Sequence, residues 1–511
     1  MKKVRFSDWL APAFIAAWTA LVFWPALGAG FLDWDDGVYI VANGHIRGLT
    51  WANLRWMVST LDVGHYIPLT WLTFAIDYQL RGLDPGQFHA TNVLIHSVNA
   101  AIFFFVGREL LRRALPDSSG WRLTMAAAAS SLFFAVHPLR VESVAWVFER
   151  KDVLSGLFYL AAVWAYLRGR RALSLGLFCL SLLSKAIGVS LPIVLLLIDL
   201  YPLRRAWSKK LLLEKIPFAA AAALAAAATW LGHERLGATM HWSSFGLGPR
   251  LDQCFYGIVF YLSKTVLPLE LSPRYLPPSA DPIAWPYVAS ALAACATTLA
   301  LWGLRRRFPA GWTAWACYAA SLLPVLGIIP QSSQIAADRY SYLSCLPWAL
   351  MFGGLLGRIL RSSTWRPAGL AASAAVLLAL SAATRAQLRY WRDSAGLWAR
   401  AVELGPGDAL ARQGLAKAMA EQGRDAEALA QFQEGLRLGP DNAAMHNDLG
   451  AFLASRGRME EAIGQFEMAL QLDPRNEAAR INLAKAAASR AGRRSPRDRS
   501  KATPAPPRST N

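Results

Sequence analysis

The chain has 511 residues, of which 54% are hydrophobic and 17% charged, with a formal net charge of +19. A soluble domain carries about 25% charged residues, so a wholly soluble protein is excluded. Nucleic-acid binding is not indicated either, because the positive excess lies in short clusters at the ends of apolar blocks, as in the cytoplasmic loops of a multi-pass membrane protein.

The first block, "WLAPAFIAAWTALVFWPALGAGF" (9–31), has no charge and is long enough to cross roughly 30 Å of hydrocarbon. It follows Lys2, Lys3 and Arg5, yet it exceeds a signal-peptide core and ends in no small-residue cleavage site, so it reads as a retained first helix. Further spans are expected at 90–110, 123–137, 152–168, 172–186, 187–202, 214–232, 285–304, 311–329, 341–359 and 367–385. The apolar stretch 252–268 is ambiguous. As a span it would carry "RRR" (305–307) outside, against the charge bias, so it reads as re-entrant or interfacial and eleven spans remain. With the N-terminus cytoplasmic, the loops 31–89, 138–151, 233–284 and 330–340 face outward, as does everything after 385.

The first outer loop opens with "FLDWDDGVYI" (31–40), which sets Asp33, Asp35 and Asp36 against the first span. A carboxylate there can serve as general base for an acceptor hydroxyl within hydrogen-bond reach; the plain alternative is a solvated acidic loop. "LTWANLRWMVSTL" and "YIPLTWLTFAIDYQL" carry apolar and aromatic residues at helical spacing, which suits helices lying in the interface.

The next outer segment, "AVHPLRVESVAWVFERKD" (135–152), gathers His137, Arg140, Glu142, Glu149, Arg150, Lys151 and Asp152 at a Pro-broken helix end. Arginine through its fork and lysine as a point charge suit a phosphate or pyrophosphate leaving group; the alternative is an ordinary charged interfacial loop. Lys185, in "LLSKAIGVSLP", is an ionisable group between two apolar runs, a functional candidate unless it snorkels to the interface. "SSQIAADRYSYL" adds Asp338, Arg339 and Tyr340. His65, His89 and His96 show no metal-binding spacing, so a protein-built zinc site is not expected. No GxxxxGK[ST] loop is present, which argues against an ATP-driven pump. The five cysteines form no CxxC and read as small buried hydrophobes.

After 385 the composition turns soluble. Pro406, Pro440 and Pro474 are 34 residues apart, as are Gly423 and Gly457, Ala428 and Ala462, Phe432 and Phe466, and Leu415 and Leu449. This pattern resembles tetratricopeptide repeats, with units at 408–441 and 442–475, a capping helix at 476–489 and a degenerate helix at 390–405. Such solenoids bind peptides or proteins on a concave face. The Pro-, Ser- and Arg-rich tail reads as disordered. The expected division is 1–385 in the membrane with outer loop 31–89, 386–489 in repeats, and 490–511 as basic tail.

The order of "WDD", "HYIPLTWLTFAIDYQLRGLDPGQFHATNVLIHSVNA", "HPLRVESVAWVFERKDVLS", "SKAIGVSLPIVLLLIDL", "ADRYSYL" and "YWRDSAGLWARAVELGP" before the repeats resembles the TMTC proteins. These are transmembrane, tetratricopeptide-containing O-mannosyltransferases of the GT-C superfamily. The resemblance implies an all-α polytopic bundle of about eleven spans that transfers a sugar from a polyprenyl-phosphate carrier to a hydroxyl on the non-cytoplasmic face, typically with inversion. It maps the catalytic carboxylate pair onto Asp35 and Asp36, with Asp35 leading and Asp33 outside the pair. Arg140, Arg150, Lys151 and Arg339 become candidates for the lipid phosphate. His65, His137, Glu142, Lys185 and Asp338 are further site candidates.

Animal members carry many more repeats and use dolichyl-phosphate mannose. This chain has about two units and a bacterial look, which implies an undecaprenyl carrier in an inner membrane, with repeats on the periplasmic side and a protein or glycan acceptor. No cofactor is assigned, and whether a divalent cation assists is left open. The competing reading is a non-catalytic membrane scaffold for envelope biogenesis that recruits a partner through its repeats.

Overall fold

The computed structural model describes residues 7–61, 64, 66–118, 120–235, 246–279, 281, 284–327 and 334–493. The chain divides into two compact units, one ending at Arg400 and one beginning at Ala401. Among the described residues regular structure is helical, apart from one isolated antiparallel bridge between Tyr275 and Ala336.

Each segment expected to span carries a helix, from Ser7–Phe23 through Pro85–Ala114 and Arg150–Leu167 to Arg366–Leu388. Trp9–Gly28, Pro85–Ala114, Lys209–Arg235, Trp285–Leu304 and Arg366–Trp391 are long and apolar enough to cross a membrane. The apolar pair Asp338–Ser344 and Leu346–Ile359 is bent by 56°, as in a broken span or a re-entrant loop. The protein is therefore a multi-pass membrane protein. Leu191–Leu200 has 10 residues, which at 1.5 Å rise is about 15 Å, half the hydrocarbon thickness. The ambiguous stretch 252–268 falls mostly in the Leu247–Val266 helix, whose Phe260 and Tyr261 pack with Tyr287, Trp315 and Tyr318.

The segment 138–151 differs from an interfacial loop. It is a run of short turns, Pro138–Arg140, Val141–Ala145 and Val147–Glu149, all buried. Buried irregular backbone needs hydrogen-bond partners, and side chains from neighbouring elements supply them. Asn92 Nδ2 donates to the carbonyls of Val144 and Trp146, each at 3.3 Å. Asn99 Nδ2 donates to the Val153 carbonyl at 2.8 Å. Both asparagines lie in the Pro85–Ala114 helix, whose N-terminus is fixed by Pro85 and by Asp84 accepting from Gly86 N–H at 3.0 Å.

The first unit ends beyond the composition shift at 385 because "YWRDSAGLWAR" packs within it. Trp391 and Trp398 are buried there, and Ser394 Oγ accepts from the Asp33 N–H at 2.7 Å.

The second unit pairs Ala409–Glu421 with Asp425–Leu438 and Ala443–Ser455 with Met459–Leu472, followed by Glu477–Arg493. Asp408 and Asn442 cap the leading helices. The turns pass through Gly423 and Gly457 at φ of +74° and +79°, a conformation glycine adopts without strain. Gly450 is small because a Cβ there would lie 2.6 Å from the Phe466 ring. In that unit a small residue faces an aromatic one across the helix pair.

Candidate active site

The turn after the first helix holds the acidic cluster in three different environments. Asp33 is tied through its backbone to Ser394. Asp36 is fully buried and accepts twice from backbone, at Oδ2 from Leu32 N–H at 3.0 Å and at Oδ1 from Phe148 N–H at 2.9 Å. Burial pushes its carboxyl up to about 7, against the lowering effect of those two bonds. Asp35 is half-buried, and no hydrogen bond or ion pair to another described residue engages its carboxylate. The following turn closes from Ala42 N–H to the Gly37 carbonyl at 3.0 Å, an i→i+5 bond, a widened helix found frequently at functional sites.

Asp35 faces a compact ionic cluster. Burial raises its carboxyl above the ordinary value. Lys151 opposes that most strongly, Glu149 reinforces it, and Arg339 and Lys185 oppose it further. At the centre stands Glu149. Its Oε1 meets Lys151 Nζ at 3.2 Å and Arg339 Nε at 3.5 Å, and its Oε2 meets Lys185 Nζ at 2.8 Å. Burial favours the neutral acid, yet Lys151, Lys185 and Arg339 together hold Glu149 well below the usual carboxylate range. Lys185 also pairs with Asp152 at 2.7 Å. Arg339 also pairs with Glu142, whose other oxygen accepts from the Arg339 N–H at 2.8 Å. The arrangement can take a proton at Asp35 and stabilise a developing anion beside Lys151 and Arg339.

Other expected residues lie elsewhere. Arg150 is turned away from the phosphate role expected of it. It is sealed against Asp77 at 2.5 Å, Asn92 Oδ1 at 2.7 Å and the Phe88 carbonyl at 2.8 Å, with Phe74 4.6 Å from its guanidinium. Arg140 is fully buried between Phe134 and Tyr342, and it donates to Ser341 Oγ at 2.5 Å. His137 uses both ring nitrogens: Nδ1 accepts from Leu139 N–H at 3.3 Å, so Nε2 carries the proton and donates to the Thr265 carbonyl at 3.0 Å. Asp338 accepts from Tyr275 Oη at 2.8 Å, and burial raises its carboxyl, helped by Glu142. His65 lies outside the described residues. Among the described residues no three His, Cys, Asp or Glu side chains gather as metal ligands.

Three roles escaped the sequence: Asp77 as partner of Arg150, Tyr275 as partner of Asp338, and Glu149 as hub. A lone acid inside the apolar "TFAIDYQL" was the one available signal, since buried acids need partners. An apolar cavity of ≈ 440 Å³ is lined by Phe103, Val163, Ile198 and Leu350, with Leu343 and Arg358 also on its wall.

Comparison with known proteins adds the following. The tetratricopeptide repeat family matches residues 382–443 and 426–477. Human protein O-mannosyl-transferase TMTC4 is 36% identical over 154 residues, 28% of this chain and 21% of the relative. This chain is similar to the TMTC protein O-mannosyl-transferases. Mouse TMTC3 is 34% identical over 30% of this chain and 16% of its own length, and Drosophila Tmtc1 is 37% identical over 28% and 16%. The match thus spans about a fifth or less of these relatives. Among solved structures, ArnT from Cupriavidus metallidurans, bound to undecaprenyl phosphate, aligns over 86% of this chain and 80% of its own at 16% identity, with a TM-score of 0.37.

Proposed function

We propose that the protein is a membrane glycosyltransferase that moves a hexose, mannose by analogy with the TMTC enzymes, from a polyprenyl-phosphate carrier to an acceptor hydroxyl on the non-cytoplasmic face. The observation that carries this reading is the unengaged, half-buried Asp35 carboxylate facing Lys151 and Arg339. Asp35 takes the hydroxyl proton as the acceptor oxygen bonds to the anomeric carbon. The bond from that carbon to the phosphate oxygen breaks, and the lipid phosphate leaves beside Lys151 and Arg339. The apolar cavity reaching Leu343 suits the isoprenoid chain. The charge bias supports a cytoplasmic N-terminus and outward repeats, which suit a protein acceptor or partner.

The test is transfer from polyprenyl-phosphate [¹⁴C]mannose by purified protein. Asp35→Asn should abolish it while expression is unchanged; undiminished transfer by that variant would refute the assignment. Protection of the repeats in intact spheroplasts would refute the orientation.

A further inference from the structure

The ionic cluster holds more than Asp35 needs. Lys151, Lys185 and Arg339 converge on one carboxylate, Glu149, and all four residues are more than nine-tenths buried, at 4%, 8%, 9% and 2% exposure. Three cations this close repel each other unless an anion stands between them. The two oxygens of Glu149 divide them. Oε2 takes Lys185, which Asp152 also neutralises from its other side. Oε1 takes Lys151 and Arg339 at longer separations, 3.2 and 3.5 Å, and these are the two cations whose fields reach Asp35 most strongly. Lys185 is thereby neutralised by two carboxylates, and Arg339 likewise has Glu142 beside Glu149, whereas Lys151 pairs with Glu149 and keeps the most charge to share toward Asp35.

Resting on the transferase reading above, we propose that Glu149 is a positioning residue. It holds Lys151 and Arg339 together and tempers their charge, so that the lipid phosphate is bound during transfer and released after it. Glu149 touches neither acceptor nor sugar in this scheme; it acts through the two cations. Its carboxylate limits how tightly the phosphate product is held, because a like charge beside a bound anion weakens it.

This assigns Glu149 an effect opposite to that of a merely structural carboxylate. Removing its charge in Glu149→Gln should tighten binding of undecaprenyl phosphate by about tenfold and slow steady-state turnover by a similar factor, as expected for one buried charge a few ångströms away. Binding is read by quenching of tryptophan fluorescence on titration with undecaprenyl phosphate in detergent, and turnover by the mannose-transfer assay. KM and kcat should then fall together. Glu149→Asp keeps the charge but withdraws it by one methylene, and should shift both quantities the same way to a smaller extent. Should Glu149→Gln not fold, as judged by size-exclusion elution, Glu149→Asp decides alone. Unchanged or weakened lipid-phosphate affinity in a folded variant overturns the positioning role while leaving the transferase reading in place. Failure of the wild-type chain to bind undecaprenyl phosphate or transfer sugar overturns both.

Discussion

Asp36 accepts a hydrogen bond at Oδ1 from the backbone N–H of Phe148, 2.9 Å away and 112 residues later in the chain. With the stacking of Trp34 on Trp146 and Tyr39 on Phe148, that contact joins the loop after the first helix to the buried turns preceding Lys151. It also separates two neighbouring acids by role: Asp36 braces the backbone, and among the described residues none bonds to the carboxylate of Asp35 beside it.

The first prediction follows from that separation. Asp35→Asn should lower sugar transfer by at least about a hundredfold, the range for loss of a general base, with no change in thermal unfolding. Asp36→Asn should lower the unfolding temperature, because an amide presents one acceptor oxygen where two backbone donors wait; leaving one buried N–H unpaired costs about 1–3 kcal/mol. Parallel melting and transfer assays on the two variants check both outcomes.

The pH dependence of stability has a definite sign at Asp36. Its carboxyl rises from 3.8 to about 7 on folding, so between those values the native state binds more protons than the unfolded chain. The contribution is complete below 3.8 and disappears as pH rises through about 7, amounting to a few kcal/mol at most. Unfolding temperatures of wild type should therefore fall across this window relative to Asp36→Asn. A parallel pair of curves would contradict the assignment.

Activity should show an acid limb above the ordinary carboxylate range. Burial raises Asp35 more than its neighbouring cations lower it, and a general base works only when deprotonated. The pH profile of kcat/KM should rise through a value higher than 3.8, and Lys151→Met, which removes the strongest lowering influence, should move that limb to still higher pH.

The two adjacent basic residues should behave differently. Removing one partner of a buried ion pair costs about 3–5 kcal/mol, so Asp77→Asn should destabilise the protein through Arg150, measured as lost folded yield. Lys151→Met should instead weaken binding of undecaprenyl phosphate while the protein still purifies as folded material. Equal loss of yield in both would argue that Lys151 too is structural.

Much of the architecture was legible because it rests on local or periodic signals. Uncharged runs of spanning length mark membrane helices, since unpaired backbone cannot enter hydrocarbon. The 34-residue spacing marks the repeats because each helix pair reuses the same packing positions, as where Gly450 meets the Phe466 ring in the second unit. The end of the membrane unit was less legible. Composition changes at 385, yet Trp391 and Trp398 pack into the first unit up to Arg400, and the amphipathic character of that stretch does not say which core it joins.

The site was legible as a set of residues and not as a set of roles. "WDD" and "FERKD" showed where acids and bases concentrate, because charged groups in an apolar chain stand out. Which acid is free and which cation is spent depends on partners far away in sequence: Phe148 for Asp36, Asp77 for Arg150, Asp152 and Glu149 for Lys185. The sequence by itself determined that charges gather at the end of the first span, since hydrophobic patterning is local. Only the tertiary structure decided that no described residue engages the Asp35 carboxylate, since whether a buried charge is neutralised depends on what the fold brings within a few ångströms of it.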